Sequence, residues 1–572
     1  MPGVKSSTNP RTRPATSAAI KTAAAAKPAR FRLSRTFVLG VAGSLLAFLS
    51  LPPANLWPLA WLAAVPWGLA IRDERLTGRR PYLALWVAGL AFWLPSLYWL
   101  CLAHPATSIG WIALCSYLAC YLPVFVGLSR VAVHQLRVPL PLAAPVVWTG
   151  LELAQAHLLT GFDMAALSHS QYRWLAIIQI ADLVGAYGVT FLIVLVGASI
   201  AAALPRDGKK FNAWPRLPAT LLPAALMIAA AVTYGMWRQS AGVRRPGPTI
   251  TLVQGNIDTE MKFDPGEGQR VFDHYVDLTK KALKDRPTTD LIVWPETMFR
   301  FPLREIAEDA QIHGPAGGWT IEDLRDENEV VLAAIGNMVR DFGKPTLLGV
   351  DYVHYGAGPE TRYNTAQYFA ADGTPGDRYD KSHPVMFGEY VPMANRWPWL
   401  YRISPLGSGI EAGARSPAML VKAKEADDAR LSVNICYETV LPHIIAGHVR
   451  RLIAEGKKPD VLVNLTNDGW FWGSHELDLH LVCGVFRAVE CRLPLLVAAN
   501  TGFSAWIDAS GRIVQQGPRH APGWIVADVQ LDDRYSPYLH YGDWFAGLCL
   551  ACCVAIGLAG GLARRAASKL AG

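Results

Sequence analysis

Charge is scarce in this chain. Only 17% of its 572 residues are Asp, Glu, Lys or Arg, against roughly 25% in ordinary soluble domains, while 51% are apolar. That balance excludes a disordered chain. A general basic excess is also missing. The net charge of +8 is accounted for by Lys5, Arg11, Arg13, Lys21, Lys27, Arg30, Arg32 and Arg35, in a stretch (residues 1–36) without a single acid. The remainder is neutral overall and offers no basic surface to a nucleic acid. Nine cysteines are too few for a disulfide scaffold. No internal repeat appears, and no low-complexity stretch beyond the basic tail.

What is present is long apolar runs at both ends. A helix needs about 20 mostly apolar residues to cross the hydrocarbon of a bilayer. Candidate spans fall at 36–52, 56–72, 82–103, 108–130, 139–160, 175–204, 217–237 and 542–563. Pro52-Pro53 separates the first two, which alternatively form one broken hairpin. Basic residues recur in alternate connections: Arg72, Arg75, Arg79 and Arg80, then Arg130 and Arg137, then Arg206, Lys209, Lys210 and Arg216, and finally Arg564, Arg565 and Lys569. By the positive-inside rule, eight spans with both termini in the cytoplasm fit this alternation. An organelle transit peptide would explain the tail but not the later loops. Arg238, Arg244 and Arg245 stand on the wrong side, although long domains translocate regardless of charge. Within the spans, Glu152 and then Asp182 are either functional or polar groups satisfied between helices.

The expected organisation is therefore a basic cytoplasmic tail (1–35), seven helices (36–237), an extracytoplasmic domain (248–530), an eighth helix (542–563) and a short cytoplasmic tail (564–572). In the middle section Thr249–Gln254, Asp290–Trp294, Thr346–Val350, Leu431–Ile435, Val461–Leu465 and Leu495–Ala499 read as strands covered on both faces. Helix-length segments such as Gln269–Lys284 and Leu479–Cys491 lie among them, so this section is α/β with layered sheets and helices.

Three strand ends carry polar chemistry: Trp294-Pro295-Glu296, Asp380-Lys381-Ser382-His383 followed by Phe387-Gly388-Glu389, and Cys436-Tyr437-Glu438. A thiol attacks acyl carbon only as thiolate. A carboxylate can take its proton and return it to the leaving group. A lysine ammonium lowers the thiol pKa and, with the backbone N–H after the cysteine, meets the oxyanion.

These motifs resemble the nitrilase (carbon–nitrogen hydrolase) superfamily. So do Gln254-Gly255-Asn256-Ile257, Asn464 to Phe471 (Asn-Leu-Thr-Asn-Asp-Gly-Trp-Phe), Arg487-Ala488-Val489-Glu490 and Ala499-Asn500-Thr501-Gly502. Set before the last of eight spans, with Thr160-Gly161-Phe162 after the helix that holds Trp148 and Glu152, the whole resembles the apolipoprotein N-acyltransferase family. The resemblance implies a four-layer αββα sandwich on a polytopic helical membrane domain. It implies Glu296 as general base, Lys381 as oxyanion-stabilising cation, Cys436 as nucleophile and Glu389 as the group that positions Lys381. Tyr437 and Glu438 match the family's essential pair, and Phe263 stands where the family often has tryptophan.

The implied reaction moves an acyl chain from a phospholipid, typically phosphatidylethanolamine, to a Cys436 thioester, and then to the amine of a diacylglyceryl-cysteine at a lipoprotein N-terminus. It would take place at the outer face of a bacterial inner membrane, in a monomer, with no cofactor. Arg396–Tyr401 and Trp470–Trp472 are loops that dip into lipid, cover the site or only pack the domain. His475 and His480 lie near Glu476 and Asp478, but no third-ligand arrangement is evident, so no metal is expected. Cys483 and Cys491 form a disulfide or remain core thiols. A membrane-tethered amidase using water, and a scaffold with a dead hydrolase domain, are the alternative functions.

Overall fold

The computed structural model describes residues 33–205, 217–258, 261–262, 264–313, 319–403 and 409–571. Nearly all of the basic tail, the loop charges Arg206, Lys209, Lys210 and Arg216, and Phe263 lie outside the described residues.

Helices occupy every segment read as a span. They are α1 (Arg35–Ser50), α2 (Ala60–Arg72), α3 (Pro81–Ser96), α4 (Thr107–Gln135), α5 (Leu140–His157), α6 (Ala186–Ala203), α7 (Leu217–Ser240) and, at the far end, Trp544–Ala571. Four stretches among the described residues, Thr107–Gln135, Ala186–Ala203, Thr220–Ser240 and Trp544–Arg565, are long and apolar enough to cross a membrane unaided. The 16 residues of α1 or α3 reach about 24 Å at 1.5 Å each, short of roughly 30 Å of hydrocarbon. α1 and α2 are two packed helices joined by the turn that holds Pro52-Pro53.

The expected span 175–204 is corrected. Two one-turn helices (Leu175–Ile178 and Ala181–Val184) precede α6, and Gly185, at φ +72°, breaks the run. Asp182 consequently sits in a junction, not mid-span. Its Oδ2 accepts from Arg238 Nε (2.7 Å) and from Arg492 Nε (2.8 Å) and Nη2 (2.6 Å), and its Oδ1 from the Tyr234 hydroxyl (2.8 Å). The wrong-side Arg238 is thus a buried ion-pair partner. At the opposite end of the bundle, Arg72 donates to the Ala201 and Leu204 carbonyls. Arg130 donates to those of Ala70, Ile71, Asp73 and Glu74. These carbonyls lie at or just beyond the C-termini of α6 and α2, where cations are favoured.

The middle section holds two sheets. The first contains β1 (Arg244–Gln254), β2 (Leu291–Val293), β3 (Phe299–Ile306), β4 (Thr346–Tyr355), β5 (Thr361–Phe369), β6 (Pro375–Asp380) and, from the end of the domain, a long strand Gly523–Asp532. The order is Gly523–Asp532, β1, β2, β4, β5, β6, with β3 also paired to β4. The second runs from β7 (Ala418–Val421) through β8 (Ala429–Ile435), β9 (Val461–Thr466) and β10 (Leu495–Ala499) to β11 (Ala505–Ile507) and β12 (Ile513–Gln516).

Side chains on successive strand residues point to opposite faces, and β9 and β10 use both. Val461, Val463, Leu465, Leu496 and Ala498 pack between the sheets against Ile250, Leu252 and Leu347. Leu462, Leu495, Val497 and Ala499 face outward. The first sheet's outer face is covered by α8 (Gly268–Asp285) and α9 (Ile321–Phe342), the latter started by a Thr320–Asp323 capping box and stopped at Gly343. The second sheet's outer face is covered by α10 (Pro442–Ala454) and α11 (Glu476–Cys491), which share one apolar cluster with α2, α5 and α6. The fourth layer of the sandwich is therefore also the floor on which the membrane helices pack.

Candidate active site

The three polar motifs follow β2 and β6 of the first sheet and β8 of the second. Glu296 follows β2 in a turn that presses against Gly349 of β4. A Cβ at Gly349 would lie 2.1 Å from the Pro295 carbonyl oxygen and 2.7 Å from Glu296 Cα, so only glycine admits the turn. Glu296 Oε1 accepts from Asn364 Nδ2 (2.6 Å) and lies 3.5 Å from Lys381 Nζ, and Oε2 accepts from the Asn467 N–H (2.9 Å).

Lys381, directly after β6, is fully buried and donates to Glu389 Oε1 at 2.7 Å. The Val385 N–H holds the other Glu389 oxygen at 2.7 Å. Burial opposes the charge on Lys381, but Glu389 and then Glu296 more than offset it and hold the ammonium above its ordinary pKa. A cation is therefore locked between two carboxylates.

Cys436 follows β8 and opens a one-turn helix, Cys436–Val440, at φ +52°. A non-glycine residue there is strained, and such strain gathers at functional sites. Burial, followed by the Glu296 charge, pushes the thiol well above its ordinary value, while Lys381 and the Thr466 hydroxyl pull it down. Lys381 lowers the thiol pKa as expected, but burial outweighs it, so the attack needs a base.

Glu438 does not face the thiol. It is fully buried, and its Oε1 accepts from the Ser382 N–H (2.8 Å), the Ser382 hydroxyl (2.7 Å) and the His383 N–H (3.0 Å). Its Oε2 accepts from the Ile435 N–H (2.7 Å) and the Tyr379 hydroxyl (2.7 Å). One carboxylate thus ties the lysine loop to the cysteine turn. Tyr437 donates its hydroxyl to the Gly161 carbonyl at 2.8 Å and so ties the same turn to the membrane half.

Two family models match the chain: the apolipoprotein N-acyltransferase N-terminal domain over residues 43–199, and carbon-nitrogen hydrolase over residues 249–536. The apolipoprotein N-acyltransferase of Rhodopirellula baltica is 33% identical over 539 residues, covering 88% of this chain and 93% of that protein. That of Geobacter metallireducens is also 33% identical, covering 90% and 94%. The chain belongs to the apolipoprotein N-acyltransferase family. Among solved structures, an amidase from Nesterenkonia sp. is similar at 17% identity and a TM-score of 0.34, covering 53% of this chain and 96% of its own. Family membership and the apolar helices together mark a bacterial membrane protein.

The other expected site residues of this family member are scattered. Trp470 is half-buried on the one-turn helix Asp468–Phe471. Its neighbour Phe471 meets Trp99 edge-on at 4.7 Å, and His475 Nε2 lies 3.0 Å from the Ser96 carbonyl oxygen, so this loop rests on the end of α3. Trp472, Trp397 and Trp399 are exposed. Glu152 is not joined to the Glu296–Lys381–Cys436 group. It accepts from the Thr190 hydroxyl (3.0 Å) and borders a cavity of about 60 Å³ walled by Trp67, Trp93, Phe125 and Trp148. Cys483 and Cys491 are buried free thiols.

Sequence reasoning missed Asn364, which bonds both carboxylates (3.4 Å to Glu389), because nothing in a β-strand's pattern marks it. It did not foresee that the ammonium of Lys262, before Phe263, reaches the Thr297 hydroxyl beside Glu296. It also missed Asp468 as the third member of a group with Glu476 and His480, whose ligand atoms lie within 4.8 Å of one another, close enough to hold a metal ion. The two His480 nitrogens face Asp468 Oδ1 and the Cys436 carbonyl oxygen.

Proposed function

We propose that this protein moves an acyl chain from a phospholipid, phosphatidylethanolamine being the expected donor, through a thioester on Cys436 to the N-terminal amine of a diacylglyceryl-cysteine lipoprotein. Glu296 removes the thiol proton as sulfur attacks the ester carbonyl. The tetrahedral oxyanion is met by Lys381 Nζ and the Tyr437 N–H. The C–O bond breaks, Glu296 returns the proton to the departing lysophospholipid oxygen, and the acyl group stays on sulfur. The lipoprotein amine then attacks the thioester and loses a proton through Glu296 to the regenerated thiol, leaving an amide. The sequence is ester to thioester to amide, ending in the most stable linkage.

The observation that carries this reading is the lysine held between Glu296 and Glu389 beside a strained cysteine, in a chain of this family. The Tyr437–Gly161 bond supports a site set against the membrane half, where two lipid-anchored substrates meet by search in two dimensions. The outward orientation of the middle domain, both termini in the cytoplasm and a monomeric state belong to the same proposal.

The test is incubation of the purified full chain with phosphatidylethanolamine and a diacylated lipopeptide. N-acylated peptide in the wild type and none with Cys436→Ala is the expected result. Release of free fatty acid without acylated peptide would instead establish a hydrolase.

A further inference from the structure

His480 lies behind the nucleophile turn, on α11, and is buried. Its Nδ1 is 3.2 Å from Asp468 Oδ1, and its Nε2 is 3.2 Å from the carbonyl oxygen of Cys436. Both neighbours are acceptors, so a neutral ring with one N–H satisfies only one of them. The carbonyl in question belongs to the Cys436–Tyr437 peptide, whose N–H is the proposed oxyanion donor. Asn464 Nδ2 also donates to it, at 3.2 Å. We propose that His480 is a positioning residue: as an imidazolium anchored by Asp468 it orients and polarises the peptide after Cys436, and thereby sets the strength of the oxyanion donor. The proposal rests on the reading of Cys436 as the nucleophile.

Hydrogen bonds on the two sides of one peptide act cooperatively. A donor on the carbonyl side of an amide withdraws charge and makes its N–H a stronger donor. A charged donor acts about twice as strongly as a neutral one. It also helps hold the Cys436 turn, since rotation of that peptide would leave the buried Nε2–H without an acceptor.

The groups that face His480 are consistent with the charged form. Burial disfavours it, but Asp468 and the hydrogen bonds to Asp468 and the Cys436 carbonyl, with Glu296 beyond, more than offset burial and raise the ring's pKa. On its own helix, Glu476 Oε1 lies 4.0 Å from Nδ1. Burial, then the Asp468 charge, pushes Glu476 well above the carboxylate range, which favours its neutral form. The other walls of the space around the ring, among them Thr439, Leu477, Val497 and Phe503, carry no charge. Asp468 is held in turn by the Thr466 hydroxyl (2.8 Å) and by Gly502, where a Cβ would lie 2.1 Å from Oδ2.

The test follows the first turnover: appearance of an acyl adduct on Cys436 after mixing the full chain with phosphatidylethanolamine vesicles, read by quenched-flow peptide mass spectrometry from pH 6 to 9. His480→Gln keeps a donor but loses the charge. Adduct formation should slow on the order of 10- to 100-fold, short of losing an oxyanion donor outright, with the half-saturating phospholipid concentration unchanged. Asp468→Asn keeps the ring but removes the carboxylate that favours its charged form, so its rate relative to wild type should fall progressively as pH rises.

A His480→Gln rate within threefold of wild type overturns the proposal. So does an Asp468→Asn to wild-type ratio that is flat with pH, and this arm decides the matter if His480→Gln does not fold. Cys436→Ala separates the underlying reading: an adduct or acylated peptide persisting in that variant refutes the nucleophile assignment and the role of His480 with it, whereas its loss, with His480→Gln unaffected, refutes the role of His480 alone.

Discussion

Glu438→Gln tests the architecture of the site without touching the thiol. The native carboxylate receives five donors, three on Oε1 and two on Oε2. An amide of the same shape must turn its NH2 toward one set. Toward Oε2 it opposes the Ile435 N–H, while the Tyr379 hydroxyl can rotate to accept. Toward Oε1 it opposes two backbone N–H groups, from Ser382 and His383. The first orientation therefore wins, at the loss of one charge-assisted bond and one orphaned buried donor. Hydrogen bonds to charged groups contribute about 1.5–3 kcal/mol and an orphaned donor costs about 1–3 kcal/mol, so about 2.5–6 kcal/mol is lost from the register between the Lys381 loop and the Cys436 turn. If that register is required in the transition state, adduct formation slows by about 60- to 20,000-fold, one decade per 1.4 kcal/mol. The assay is the same first-turnover mass spectrometry, with thermal unfolding in detergent to normalise for folded protein. A folded Glu438→Gln protein that acylates Cys436 within threefold of wild type would refute the reasoning.

Because burial and then Glu296 raise the Cys436 thiol, the neutral form dominates near neutrality. Alkylation by iodoacetamide should therefore be slow at pH 7 and still rising beyond pH 9, and a plateau below pH 8 in peptide mapping would contradict this. Asp182→Asn leaves the buried guanidinium groups of Arg238 and Arg492 short of an anion. Breaking such a pair costs about 3–5 kcal/mol, so Tm should drop clearly while activity per folded molecule is retained; an unchanged Tm would count against the junction. Tyr437→Phe removes only the hydroxyl bond to Gly161, and should cost about tenfold or less in peptide acylation, measured with the diacylated lipopeptide.

Much of the fold was legible from local pattern. The runs Thr249–Gln254, Val461–Leu465 and Leu495–Ala499 read as strands covered on both faces because both of their faces are apolar, and each lies within such a strand. Strand-end motifs placed Glu296, Lys381 and Cys436 at one end of the α/β layers. Less of the site was legible. Asn364 looks like any alternating strand residue, and its amide matters only because β5 lies beside the loops that carry Glu296 and Glu389. Asp182 reads as a mid-span acid until Gly185 is seen to break the helix and Arg492 to arrive from 310 residues away.

Motif identity, the order of apolar runs and the neutrality of everything beyond the basic tail follow from the sequence by itself, because they depend on residue type and spacing along the chain. Tertiary structure alone decided which charges pair, that the cysteine rests protonated, that Glu438 is a brace between two loops, and that one helix layer serves both the sandwich and the membrane bundle. The reason is that desolvation and hydrogen-bond partners are properties of neighbours in space, and no one-dimensional pattern specifies those.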